Sequence, residues 1–450
     1  MGMKRFVEDK IREWINYSNK ALLISGARQV GKTYIVRKVL KEAGFPLYEV
    51  NFIERPDILS SLKNSSDFQE FENKLSLYLA VEADERKPIV FLDEIQEYPE
   101  IVTKIKFLVD GGQFRYILSG SMLGIEIKQI RSVPIGYLEE IVMYPMSFFE
   151  FLVAMEISEN ALDHIHSCFC NKVPVDDIIH TKMMNIFHLY LVIGGMSAVV
   201  QVFLDHKTLL SAESEQKNII QFYKSDFIKY EMVDRKLRII SIYDNIPSQL
   251  NKQNMRFVFT LLNKEMKFDR YENSFLWLKD ANVAIPVYIA NEALAPLVIS
   301  KDKHTFKLFL SDVGLLSSYF PSSTRNQIVM GKSESNKGAL YENFVAEELV
   351  ANGIIPYYFK TTAIGEVDFL IEHNGEVLPI AVKSGKGIKK HAALNKLLSC
   401  ENFHLKSAIV FSESNVSIDK NIIYLPIYMV GLLQEEHASR EKMDFSEYKI

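Results

Sequence analysis

ALLISGARQVGKT, residues 21–33, decides how the front of this chain folds. ALLIS is a short, almost wholly apolar run, the composition of a strand buried on both faces of a parallel sheet. GARQVGKT follows without a spacer. Its glycines, Gly26 and Gly31, permit a tight turn whose backbone N–H groups converge on phosphate oxygens; Lys32 can reach the β and γ phosphates, and Thr33 offers a hydroxyl to Mg²⁺. TYIVRKVLKEAG then has the periodicity of a helix closed by Gly44. Strand, glycine loop and helix in this order predict a phosphate site built from Gly26, Ala27, Arg28, Gln29, Val30, Gly31, Lys32 and Thr33.

The flanking segments extend the same pattern. FVEDKIREWI reads as an amphipathic helix before the strand, LYEVNF as a second strand, DFQEFENKLSLYLAVE as a helix, PIVFLDEI as a third strand and FRYILSGS as a fourth. Strands alternating with helices predict a parallel sheet covered on both faces. PIVFLDEI ends in two acids with separable tasks: Asp93 holds the Mg²⁺ shell, and Glu94 polarises a water for attack on the γ phosphate. Ser119 and Ser121, closing the fourth strand, are candidates for sensing that phosphate. The catalytic pair read from sequence is therefore Glu94 and Lys32.

Beyond YPMSFFEFL the alternation stops. Residues 1–144 form the expected phosphate-loop domain, 145–235 a helical, lid-like region, 236–298 a winged-helix module, and 299–450 a further α/β domain. In the last of these the Asn374-Gly375 pair is a hairpin signal between EVDFLIEH and EVLPIAVK. A chain of 450 residues with 48% hydrophobic and 24% charged residues has material for several cores, which excludes disordered and collagen-like classes. Net charge is −5, so no global basic field points to nucleic acid. Cys168, Cys170 and Cys400 are too few for a disulfide framework and lack zinc spacing. No apolar run approaches the roughly 20 residues of a membrane span, and the N-terminus lacks a signal-peptide core, so the expected compartment is the cytoplasm.

GARQVGKT, FLDEIQ, LSGS, YPMSFFEFL, LVIGGMSAVV, LSDVGLL, GALYENFVAEEL and GEVDFLIEHNGEVLPIAVKSG together resemble bacterial and archaeal AAA-superfamily ATPases with a C-terminal domain of unknown function similar to PD-(D/E)XK nucleases. The resemblance covers nearly the whole length. It implies an ATP- and Mg²⁺-dependent ATPase domain of the ASCE type, a helical and winged-helix middle, and a restriction-endonuclease-like C-terminus, with ATP, DNA, and a homo-oligomeric or protein partner as the expected partners. Three positions depart from the family pattern. Tyr137 stands where the family often has an arginine, a finger for a neighbour's ATP, leaving Arg131 or Arg115 as substitutes; Ser197 replaces a proline, with an expected effect on backbone stiffness; and Ala381 replaces the acid two residues before Lys383.

That last change removes a metal ligand, because a PD-(D/E)XK nuclease holds Mg²⁺ between an aspartate on one strand and the glutamate of an E-x-K on the next. The remaining site is Glu342, Glu366, Asp368 and Lys383, a degenerate nuclease centre. Basic residues at 383, 386, 389, 390 and 396, and Lys252, Arg256, Lys264, Lys267 and Arg270 in the winged-helix region, are the candidate phosphate-backbone contacts. His180, His188, His304 and His391 lack metal spacing. Two functions follow: an ATPase acting with DNA, or a nucleotide switch whose nuclease-like domain is a protein-interaction platform.

Overall fold

The computed structural model describes residues 4–81, 86–121, 134, 136–229, 233–252, 255–258, 271–332, 337–385 and 391–434. Helix α1 (Val7–Tyr17) precedes a five-stranded sheet of β1 (Ala21–Ser25), β2 (Tyr48–Asn51), β3 (Ile89–Asp93), β4 (Arg115–Ser119) and β5 (Leu138–Val142). The spatial order is β2-β3-β4-β1-β5 and every pairing is parallel. Helices α2 (Lys32–Glu42), α3 (Pro56–Lys63), α4 (Phe68–Leu79) and α5 (Ile101–Gly111) cover it. The strand period of two divides the apolar side chains between two cores. Leu22, Ile24, Phe91 and Ile117 face Ile35 and Val39 of α2. Leu23, Val90, Leu92 and Leu118 face Ile58 of α3 and Ile105 of α5. This is the P-loop NTPase α/β arrangement, and it places the carboxyl ends of β1, β3 and β4 side by side. β5 escapes the sequence reading because LEEIV is an edge strand, half-buried and interrupted by two acids.

Residues 148–229 are helical, in the segments Phe148–Ala154, Glu159–Asn171, Asp177–Ile193, Ser197–His206 and Leu209–Lys229, followed by Val233–Leu250 and Glu272–Asp280. The second sheet contains β6 (Ala284–Ala290), β7 (Lys301–Leu310), β8 (Tyr357–Thr361), β9 (Gly365–His373), β10 (Glu376–Val382), β11 (Ala408–Ser412), β12 (Ser417–Asp419) and β13 (Ile422–Pro426), in the order β12-β13-β11-β10-β9-β8-β6-β7. Asn374 and Gly375 have φ of 51° and 77°, the two left-handed residues of a tight hairpin turn, and β9 and β10 pair antiparallel across it. The boundary expected at residue 298 does not interrupt this sheet. β6 pairs antiparallel with β7 and, on its other edge, parallel with β8, so the strand that ends the segment expected as a winged-helix module is continuous with the C-terminal strands. Alternation alone identifies a strand but not its second neighbour.

One core joins these parts: the residues packed against α2 belong to the same cluster as Phe187, Tyr190, Phe344 and Phe369. At its centre the backbone runs so close that side chains are excluded. A Cβ at Gly195 would stand 2.0 Å from the carbonyl oxygen of Met146, and one at Gly194 would stand 2.3 Å from Asp312. The Gly195 amide donates to Asp312 at 2.6 Å, and the Phe148 amide donates to Glu348 at 2.6 Å. Glu348 belongs to the buried helix Gly338–Ala351. Burial pushes the Asp312 carboxyl up to about 6 and that of Glu348 up to about 8, against the hydrogen bonds that favour their anions.

A carboxyl raised on folding binds its proton more tightly in the folded state, so its contribution to stability falls as pH climbs from the unfolded value toward the folded one. Thermal stability of the whole chain is therefore expected to decline between about pH 4.5 and about pH 8. Glu348→Gln should flatten that decline and raise the melting temperature by a few degrees at the alkaline end, with little change at the acid end. Melting curves across this range check it, and an unchanged slope in the variant would assign the titration to other groups.

Candidate nucleotide site

The phosphate loop occupies the turn between β1 and α2. Gly26 has φ 140° and lies so near β5's exit that a Cβ would be 2.2 Å from the Met143 carbonyl oxygen. Gly31, φ 94°, is the residue before α2 and brings no side chain to its N-terminus. The α2 N–H groups and the helix dipole thus open onto the loop, an electropositive terminus suited to an anion. Ala27 and Val30 turn their side chains into the core. The Lys32 ammonium donates to the carbonyls of Gly26 at 3.0 Å and Ala27 at 2.8 Å. Its burial pulls the pKa down to about 8, with the charges of Glu94 and Asp93 opposing.

Asp93, only 1% exposed, is the hub on the facing strand. One carboxylate oxygen accepts the Ser119 hydroxyl at 2.6 Å; the other accepts Thr33 Oγ1 at 2.9 Å and Asn51 Nδ2 at 3.1 Å. Four residues from α2, β2, β3 and β4 are thereby brought to one point. Asn51 was not among the site residues read from sequence. It pairs in register with Asp93 across β2 and β3, a relation visible once the sheet is aligned. Glu94 follows immediately with φ 57°, a left-handed conformation that costs a non-glycine residue on the order of 1 kcal/mol. Its half-buried carboxylate accepts from Gln96 Nε2.

Other polar residues clamp the loop from outside. Arg28 donates to the Ser121 hydroxyl at 3.2 Å and pairs with Asp226 of helix Leu209–Lys229 at 2.9 Å. Ser121 is thus engaged with the loop arginine. Arg5 donates to the carbonyls of Val30 at 2.9 Å and Tyr144 at 2.7 Å and pairs with Glu150 at 3.0 Å. Ser197 does more than adjust backbone stiffness: its hydroxyl donates to the Val30 carbonyl at 2.9 Å and accepts from Arg5 at 3.1 Å, contacts a proline could not make. Beside the loop lies a cavity of about 370 Å³, with Tyr34, Ile35 and Met143 on its walls and Gln29 and Gln201 at its polar edge.

Of the positions that bear on an arginine finger toward a neighbour's ATP, Tyr137 and Arg115 are among the described residues. The Tyr137 carbonyl accepts from the amide of Ala21, at the end of β1 opposite the loop. Arg115 is committed to the carbonyls of Trp14, Ile15 and Ser18 and stacks on the Trp14 ring at 4.3 Å. Arg131 lies outside the described residues.

In the C-terminal sheet, Glu342 and Glu366 come together, but around Lys307, whose ammonium lies 3.0 and 2.8 Å from them. Asp368 accepts the Val382 amide at 2.7 Å, and Lys383 lies half-buried at the end of β10. Among the described residues no group of three or more His, Cys, Asp or Glu side chains is disposed to hold a metal ion. The residues present do not fit the Mg²⁺ of a nuclease centre. Lys252 and Arg256 are exposed, and Lys396 donates to the Ala363 carbonyl at 3.3 Å. Lys264, Lys267, Arg270, Lys386, Lys389 and Lys390 lie outside the described residues. His180 and His391 hydrogen-bond to Tyr428 and Tyr424, and His188 faces Glu413. No single described helix is long and apolar enough to cross a membrane.

Residues 18–152 match the AAA domain family, and the phosphate loop, Asp93, Glu94 and Ser119 all fall within the match. Residues 184–326 match a domain of unknown function (DUF8612), running across the boundaries expected at 235 and 298, and residues 337–430 match another (DUF4143). Among solved structures the chain is similar to a Walker-type ATPase of Pyrococcus abyssi, with 16% identity, 70% of this chain and 95% of that one covered, and a TM-score of 0.42. It is also similar to Cdc6p from Pyrobaculum aerophilum, with 10% identity, coverage of 72% and 92%, and a TM-score of 0.26. No curated protein matches it.

The Lys32 value sets a pH limit on this site. A phosphate group favours the charged ammonium, so binding should be strongest below about pH 8 and weaken by up to roughly tenfold per unit above it, with proton uptake. Calorimetry of a non-hydrolysable ATP analogue from about pH 7 to about pH 9.5, in two buffers of different ionisation enthalpy, measures both effects. A flat affinity with no proton uptake would show that Lys32 is charged throughout.

Proposed function

We propose that this chain binds ATP with Mg²⁺, hydrolyses it, and uses the loss of the γ phosphate to reposition the helical and C-terminal modules. The observation that carries this reading is the Asp93 carboxylate, tied to Thr33 and Ser119, with Glu94 next to it on the strained end of β3. The oxygen donors Thr33 and Asp93 suit Mg²⁺, which would neutralise phosphate charge there. Lys32 would leave its loop carbonyls for the β and γ phosphates. Glu94 would take the proton of the attacking water, and Ser119 would report the state of Asp93. The apolar walls and glutamine edge of the adjacent cavity suit a flat purine. The contacts of Arg28 to Asp226 and of Arg5 to Glu150 join the loop to elements outside the sheet, which is what transmission requires.

The chain order from helix Gly338–Ala351 through three antiparallel strands, a helix and the parallel β11 supports a nuclease-like reading of the C-terminal domain. The hairpin β6–β7 after helix Glu272–Asp280, with Arg256 bridging to Lys307, supports a winged-helix reading of the segment before it. On the DNA-acting reading, Lys252, Arg256, Lys383 and Lys396 contact the phosphate backbone. The protein-platform reading is favoured by the lysine at the centre of the carboxylates, which leaves the domain a surface rather than a metal-dependent active site.

Glu94→Gln is expected to keep ATP affinity while lowering turnover by roughly 10²–10⁴-fold, as loss of a general base does. Single-turnover hydrolysis beside equilibrium binding measures the two separately, and wild-type turnover in the variant would refute the assigned base. A DNA-binding titration from about 50 to about 200 mM salt, with ATP, ADP or neither, decides the partner class. Phosphate contacts must weaken steeply along that series, and no binding in any nucleotide state leaves the platform reading alone.

A further inference from the structure

We infer that Lys307 is the resident cation of the C-terminal carboxylate site, an internal ammonium standing where a nuclease of this type would hold its divalent metal, so that this domain works without metal. The inference rests on the carboxylate geometry and on the nuclease-like reading of the C-terminal domain, and is independent of the ATPase proposal.

Lys307 rises from β7, and its side chain is 1% exposed. Its ammonium lies 3.0 Å from Glu342 Oε2 and 2.8 Å from Glu366 Oε1, contacts from two separate elements. The second oxygen of Glu366 is held by Lys360 at 2.8 Å, and one oxygen of Asp368 by the Val382 amide. The Tyr358 ring lies 5.3 Å from the ammonium. Burial alone would strip the lysine of its proton, but Glu342, Glu366 and Asp368 more than reverse that, and Lys307 is held charged well above the ordinary lysine value. Glu342 is raised by its own burial, with Lys307 pulling the other way.

A divalent ion binding the same carboxylates needs oxygens at about 2.0–2.5 Å on several sides. An ion placed between Glu342 and Glu366 would meet the ammonium at contact distance, with like charges in an enclosed site. Ala381, 4% exposed on β10, offers only a methyl where the resemblance to PD-(D/E)XK nucleases implies an acid. One position thus lacks the carboxylate a metal would need, and another supplies a single positive charge to the carboxylates present. Loss of the glutamate is therefore only half of the difference from a metal site, and restoring it leaves the ammonium in place.

The test is Mn²⁺ binding to the full chain, stripped of metal and free of nucleotide, followed by electron paramagnetic resonance and by melting temperature. Wild type and Ala381→Glu are expected to show no Mn²⁺ site that depends on Asp368. Lys307→Met, and more strongly Lys307→Met with Ala381→Glu, should gain at least roughly tenfold in Mn²⁺ affinity, lost again on adding Asp368→Asn. Mn²⁺ should raise the melting temperature of Lys307→Met but not of wild type, and Lys307→Arg should behave as wild type. If Lys307→Met does not fold, Lys307→Met with Glu342→Gln removes one uncompensated charge and should recover the folded state; continued unfolding counts against the inference. An Asp368-dependent Mn²⁺ site in wild type or in Ala381→Glu, or a folded Lys307→Met with no gain in affinity, overturns it.

Discussion

The carbonyl of Met146 lies 2.0 Å from where a side chain at residue 195 would begin, and Asp312 lies 2.3 Å from where one at residue 194 would begin. At residue 195 the obstacle is backbone, which leaves room for glycine alone; at residue 194 it is the buried Asp312 carboxylate, beside a φ of 76° that itself favours glycine, and Gly314 in turn lies 2.3 Å from the Ile193 carbonyl oxygen, measured from its would-be Cβ. At this crossing the segment leaving β5, the turn between helices Asp177–Ile193 and Ser197–His206, and the segment after β7 touch through their backbones. The helix Gly338–Ala351 closes the group by accepting the Phe148 amide on Glu348. Four stretches far apart in sequence are fixed by contacts that leave no room for adjustment. The modules are consequently parts of one packed body, and their shared core follows from the crossing.

That arrangement explains why the local sequence anticipates the geometry of the candidate nucleotide site and less of what lies elsewhere. The phosphate loop is local: strand, glycines, lysine and helix lie within two dozen residues, so composition and order suffice. Asp93 and Ser119 were legible for a related reason, because each ends an apolar run and a parallel sheet aligns such ends. Asn51 and Lys307 carry no local mark. Asn51 matters through its register with Asp93, and Lys307 through carboxylates supplied by a helix and another strand. Arg115 shows the converse, a residue of suitable chemistry whose two terminal nitrogens donate to the carbonyls at the end of α1. β5 was hidden because an edge strand with two acids lacks an apolar run.

The buried carboxylates divide into two groups that solve the same problem differently. Removing a carboxylate from water is costly unless it is neutralised or given donors. Asp312 and Glu348 receive backbone N–H donors and are driven toward their protonated forms. Glu342, Glu366 and Asp368 are instead balanced by Lys307. The first solution ties the stability of the module junction to pH; in the second the lysine stays charged, and burial still lifts Glu342 to about 7 against its pull. A domain whose acids are neutralised internally does not depend on a metal for its shape.

The junction and the nucleotide loop are joined through Arg5. Its guanidinium holds the Val30 carbonyl of the loop, the Ser197 hydroxyl at the start of a helix, the Tyr144 carbonyl just after β5, and the Glu150 carboxylate. Glu150 also accepts the Phe6 and Ser147 amides, the latter within the capping box of helix Phe148–Ala154, whose first amide is bound by Glu348. In the proposed cycle, polyphosphate draws Lys32 off the Gly26 and Ala27 carbonyls, and the loop backbone must settle around the new anion. Val30 is part of that backbone. A guanidinium with fixed donor geometry cannot follow a displaced carbonyl without changing its other contacts. In that proposed cycle the contacts from the loop to the C-terminal helix are few, polar and geometrically strict, and Ser197 is among them through its hydroxyl on Val30.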